Sequence, residues 1–230
     1  MTDTQLLARI WMNFGGSDVG AGYFSSTGAT SDLYVAIASA IDKVLQDMSP
    51  NADSCDYSTD SVVGDGSSET HALPTDFLRL LHAYIGQYEI TYVRSRDYQS
   101  ISAYGTANST MDPSTTIDRW YVTVTGAYYR VYPILTASDT MKVYYVKRCD
   151  ATMASLSTEL AKVPFCYHEA VIAYASWILS KKAKGQWPGD PMIFRQEYTA
   201  ALMEGDKLSN EGFRDGLYPM QAPNWECEEL

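Results

Sequence analysis

The feature that most constrains this chain is a change of hydrophobic period, from 3.6 residues to 2 and back again. Leu6, Leu7, Ile10, Trp11 and Phe14 share one stripe of a helix over 4–14. Leu33, Ile37, Ile41, Val44, Leu45 and Met48 repeat the pattern over 33–48, with Ser31 and Asp32 as N-cap candidates and Pro50 just past the end. After Ser157 the helical period returns through Val163, Ala170, Val171, Tyr174, Ile178 and Leu179, with Pro164 starting the main helix and Gly185 stopping it. A last helix over about 190–214 takes Asp190 as its cap and turns Ile193, Phe194, Tyr198, Leu202 and Leu208 inward. Between these blocks the period is 2. YEITYVRSRD (88–97), RWYVTVTG (119–126), YYRVYPIL (128–135) and MKVYYVKR (141–148) alternate in polarity and are rich in Tyr, Val, Ile and Thr. Gly126-Ala127 is a tight-turn candidate between two of these strands.

Two changes of period predict an α+β fold: a helical bundle of about four helices interrupted by a small antiparallel β-rich insertion, with an extended C-terminal tail. The expected divisions are 1–85 for the N-terminal part of the bundle, 86–150 for the β insertion, 151–215 for the helices that complete the bundle, and 216–230 for the tail. Within the first division, 49–72 reads as a long acidic loop and LPTDFLRLLHAYI (73–85) as a short helix, with Pro74 in its first turn and Asp76 near its positive end.

Charge narrows the partners. Residues 1–70 carry ten acids against two bases, 71–150 seven against eight, and 151–230 eleven against seven, for a net −11 over the 230 residues. No basic stripe is present to neutralise phosphates, which disfavours tight nucleic-acid binding. An acidic surface is still compatible with DNA that slides past without sticking. No apolar run is long enough to span a bilayer, and MTDTQLLARIWMNFGG lacks the basic and apolar regions of a secretory signal. The chain is therefore expected to be made in the cytoplasm and to have no membrane partner. Cys55, Cys149, Cys166 and Cys227 have neither zinc nor disulfide-framework spacing and read as reduced thiols.

Catalytic groups are sparse. His71, His82 and His168 belong to no HExxH or GxSxG pattern, and His168, opening a helix beside Glu169, reads as solvated or capping. Gly15, Gly16, Gly20 and Gly22 follow a helix, whereas a phosphate cradle needs a strand before its glycines, so the stretch reads as a flexible loop. The acidic segment 53–65 lacks EF-hand spacing and reads as a solvated loop. No catalytic, cofactor-binding or metal-binding residue is assigned, and no cofactor is expected. The 18 tyrosines fit either a tyrosine-rich β core or an interaction surface. Tyr218, Trp225 and Leu230 lie in a final stretch, GLYPMQAPNWECEEL, that has two prolines and no period of its own, which points to burial against a partner.

The order of these segments resembles the head-to-tail adaptor (connector) proteins of short-tailed bacteriophages, of the tail tubular protein A type. The resemblance rests on LPTDFLRL at 73–80, on YRVYPILTASDTMKVYYVKR at 129–148 and on VPFCYHEAVIAYASWIL at 163–179. It implies a non-enzymatic virion protein at the head-tail junction, synthesised in the host, which forms a ring of about twelve copies beneath the portal protein. It implies a tail docked on the portal through Leu217, Tyr218, Pro219, Met220, Trp225, Glu228 and Leu230. It further implies a nozzle or gatekeeper protein on the far side and DNA only as passing channel content. Two alternatives remain from the residues alone: a virion-associated glycan-degrading enzyme using acids such as Glu169, and a glycan- or protein-binding module built on the β insertion.

Overall fold

The computed structural model describes residues 2–16, 22–26, 31–48, 57–100, 120–149, 156–183 and 187–214. The fold is α+β. It comprises two compact units, a helical unit of Met1–Cys55 with Cys149–Leu230 and a β unit of Asp56–Arg148.

The helical unit contains α1 (Asp3–Asn13), α2 (Asp32–Asp47), α3 (Leu156–Ala161), α4 (His168–Lys182) and α5 (Pro191–Arg214). Local signals set their starts. Thr2 and Gln5 form a reciprocal capping box on α1, Ser31 caps α2 by accepting from the Tyr34 amide, and Asp190 accepts the Met192 amide at 2.9 Å. Pro164 precedes a 3-10 turn, Phe165–Tyr167, so the main helix starts four residues later than its proline suggests.

Helix α4 is the centre of this unit and packs against α1, α2 and α5. It buries Ala170, Ala173, Ala175, Ser176 and Ser180, small residues that let neighbours approach on several sides. Hydrogen bonds fix the arrangement. Asn13 donates to Ser176 Oγ at 2.9 Å, the Tyr198 hydroxyl to Asp47 at 2.8 Å, and the Tyr167 hydroxyl to Asp206 at 2.7 Å. Arg9 pairs with Glu169, and Lys182 with Asp32.

The β unit holds β1 (Tyr57–Val63), β2 (Thr70–Ala72), β3 (Phe77–Ile85), β4 (Tyr88–Glu89), β5 (Thr91–Tyr92), β6 (Tyr121–Thr125), β7 (Tyr128–Tyr132) and β8 (Thr140–Lys147). They form two four-stranded sheets, β1-β8-β3-β4 and β2-β7-β6-β5. Val62, Ala83, Ile85, Met141 and Val143 of the first sheet and Val122, Tyr129 and Val131 of the second share one apolar cluster. Gly126 turns the chain between β6 and β7 with φ of 61°, a conformation that favours glycine there.

Several expectations about individual elements change. Residues 73–85 do not form a helix; Phe77–Ile85 is strand β3. Its register against β8 shifts between Phe77 and Arg79 and again between Leu80 and His82, so Leu78 and Leu81 are extra residues. Two bulges break the alternation and leave leucines at helix-like spacing. Residues 49–72 are not one loop, because β1 and β2 lie there; β1 is a polar edge strand, exposed at Tyr57, Thr59, Ser61 and Val63. The β unit thus begins at Asp56, within the stretch expected as helix and loop. Residues 88–97 hold only the short strands β4 and β5 before the chain turns helical at 95–100. The β unit is also not purely antiparallel, since β5 runs parallel to β6.

Candidate interaction surfaces

The titratable groups serve packing. His168 is buried, not solvated; its Nε2–H donates to the Val163 carbonyl at 3.0 Å, and burial holds its pKa below the ordinary value. Glu169, the candidate acid, is committed to Arg9 across α1 and α4. Burial, with Glu159 next to it, pushes the Cys149 thiol far up, the opposite of an activated nucleophile. Asp65 accepts from the Ser67 and Ser68 amides and the Ser68 hydroxyl, which lowers its pKa and closes the turn after β1. Among the described residues, no three His, Cys, Asp or Glu side chains converge as a metal site, and no helix is long and apolar enough to cross a membrane.

The aromatic residues divide into core and surface. Tyr98, Tyr129 and Tyr167 are fully buried, whereas Tyr57, Tyr88, Tyr92 and Tyr128 are exposed. On the outer face of the first sheet, Tyr144 contacts Tyr57 and Tyr84 with ring centroids 5.8 Å away in each case. His82 Nδ1 lies 2.7 Å from Glu89 Oε1 at the rim of this cluster. Burial, then the Glu89 and Tyr144 charges, raises the Tyr84 pKa.

In the helical unit a second cluster joins Trp11, Phe14, Phe24, Trp187 and Phe194, with Trp11 stacked on Phe24 at 5.1 Å and Trp187 on Phe194 at 5.3 Å. Phe24 pins the described part of the glycine-rich stretch, and Ser25 exchanges hydrogen bonds with Asp32. Helix periodicity located Trp11, Phe14 and Phe194 but gave no signal for Phe24 or Trp187, which lie outside helices.

Helix α5 carries a correction. Phe194 and Tyr198 face inward as expected, but Ile193 and Leu208 are exposed, together with Met192 and Met203. The helix packs through one stripe and leaves an apolar fringe on its outer side. The seven tail candidates, Leu217, Tyr218, Pro219, Met220, Trp225, Glu228 and Leu230, lie outside the described residues.

A family model for the SU10 adaptor protein matches residues 5–217, which takes in the whole β unit, most of the helical unit and every helix and strand described above except the first residues of α1. The chain belongs to the SU10 adaptor protein family. It is a phage adaptor, a structural component of the virion at the head-to-tail junction, and its partners belong to the portal and tail proteins. No curated protein matches the chain. Six of the seven tail candidates fall beyond the matched stretch of this SU10 adaptor, and only Leu217 falls within it.

Proposed function

We propose that this SU10 adaptor assembles as a closed ring of about twelve copies beneath the portal, with its helices acting as a bundle and the β unit as an insertion. The C-terminal tail, from Leu217 to Leu230, docks on the portal. The β unit meets the next tail component, a nozzle or gatekeeper. DNA crosses the ring without being held.

The family match over 5–217 carries this reading. Charge supports the passage of DNA: the helical unit has 18 acids against nine bases, a net −9, whereas the β unit is nearly balanced at −2. Repeated around a ring, such a surface repels phosphate. The exposed apolar fringe of α5 supports contacts between chains. Assembly then rests on many modest contacts, each made more effective by the ring's high local concentration.

The test is a chain ending at Gly216, mixed with purified portal ring and followed by sedimentation velocity. Docking through the tail predicts loss of co-sedimentation with unchanged circular dichroism. Undiminished co-sedimentation would place the portal contact elsewhere.

A further inference from the structure

Among the described residues the β unit has four sheet edges, and three are short: β4 and β5 have two residues each and β2 has three. The fourth, β1, pairs with β8 through seven consecutive residues, from Tyr57 opposite Val146 to Val63 opposite Thr140, without a bulge. It contains no proline, lysine or arginine. Parity shows which groups its open side presents. The Gly64 amide donates back toward the β8 side, to the Asp139 carbonyl at 3.0 Å, while among the described residues the Ser61 amide donates to its neighbour Asp60 at 2.9 Å. The amides of Thr59, Ser61 and Val63 therefore point away from β8. All three residues are exposed. Long, straight edges with unpaired backbone groups are templates for another strand; here the Thr59 and Val63 amides have no partner among the described residues, and the Ser61 amide is held by its own neighbour Asp60.

Asp60 supplies the selectivity. It is the one charged residue of β1 and shares a sheet face with Val62. It has no ion-pair partner among the described residues, while every cation of the neighbouring β8 and β3 on that sheet, Lys142, Lys147 and Arg79, is placed by register opposite or beside other positions. A strand added outside β1 would set one side chain directly beside Asp60 and the next same-face side chain beside Val62.

We propose that the open edge of β1 is a strand-addition site for an extended segment of a partner chain, one that carries lysine or arginine beside Asp60 and an apolar residue beside Val62. Backbone hydrogen bonds supply the affinity and the Asp60 position reads charge. This site is separate from the portal-docking tail, and the two can fail independently.

The test uses the full chain and two synthetic peptides at millimolar concentration, Ac-TVTKTVT-NH2 and Ac-TVTETVT-NH2, with amide hydrogen exchange read by NMR. The lysine peptide should slow exchange at Thr59, Ser61 and Val63 by about tenfold or more, and the glutamate peptide should bind roughly fivefold more weakly. Asp60→Asn should erase that difference. Ser61→Pro, at a position where an edge tolerates proline, should abolish protection while the β8 amides stay slow. If Ser61→Pro unfolds the β unit, the Asp60→Asn comparison decides alone. Absence of slowing at β1 with either peptide, slowing confined to other strands, or a charge preference that survives Asp60→Asn would overturn the proposal.

Discussion

Replacing Gly205 by alanine sets two effects of opposite sign against each other. Gly205 lies inside α5, where alanine ordinarily stabilises a helix by about 1 kcal/mol relative to glycine. Here a Cβ would stand 2.5 Å from Tyr167 Cδ1, 2.7 Å from Cε1 and 3.1 Å from the Cys166 carbonyl oxygen. The ring has little freedom to retreat, since Tyr167 is fully buried and its hydroxyl is tied to Asp206 at 2.7 Å. Overpacking a core costs about 1–3 kcal/mol, and contacts this close place the cost at the upper end. The net result is a loss of about 1–2 kcal/mol, or a fall in Tm of roughly 4 °C for a chain of this size. The assay is thermal melting followed on the helical circular-dichroism band, in the native background and in Tyr167→Leu. Gly205→Ala should destabilise the first and stabilise the second, a coupling that propensity alone cannot produce. A raised Tm in the native background would refute the packing of α5 on the 3-10 turn.

Three further outcomes follow from other residues. Ile41→Ala, fully buried on α2, should cost about 2–5 kcal/mol in urea unfolding, whereas the same change at exposed Ile193 should cost well under 1 kcal/mol. His168 is held below its ordinary pKa chiefly by burial, so below pH about 6.5 the unfolded chain takes up a proton that the folded chain resists. Stability should therefore fall as pH drops from 7 to 5, and less steeply in His168→Gln; equal slopes in both chains would contradict this burial. Cys149 should resist iodoacetamide in the native chain at pH 8 and react after denaturation, as peptide mass spectrometry would show; rapid native labelling would contradict its buried, protonated state.

The helices were legible wherever an apolar stripe coincided with a cap, as in α2 with Ser31 and α5 with Asp190. Strands β6, β7 and β8 were legible because their sequences alternate or concentrate Tyr, Val and Thr, although only β7 alternates in burial throughout, β6 burying both Val122 and Thr123 and β8 both Tyr145 and Val146. Strand β3 was misread because its two bulges interrupt the alternation twice, and its extra residues Leu78 and Leu81 stand three apart, as on a helix. Strand β1 was hidden for a different reason: as an edge strand it buries only Val62 fully, so its polar sequence looks like loop. On α5 the amphipathic pattern overstated burial, since periodicity cannot tell an inward apolar residue from one on the margin of the packed stripe; Ile193 and Leu208 are exposed there. The order of segments, more than any one motif, carried the adaptor family, because no single motif here binds its residues to one chemistry. The stretch 216–230 has no hydrophobic period from which a face could be read.

Native mass spectrometry of the full chain, alone and with the portal ring of its own virus, tests the adaptor assembly most directly. Discrete complexes are expected in which adaptor copies load onto the portal in near-stoichiometric number, with no comparable ring formed on an unrelated protein. A chain that stays monomeric and ignores the portal at every ratio would contradict it.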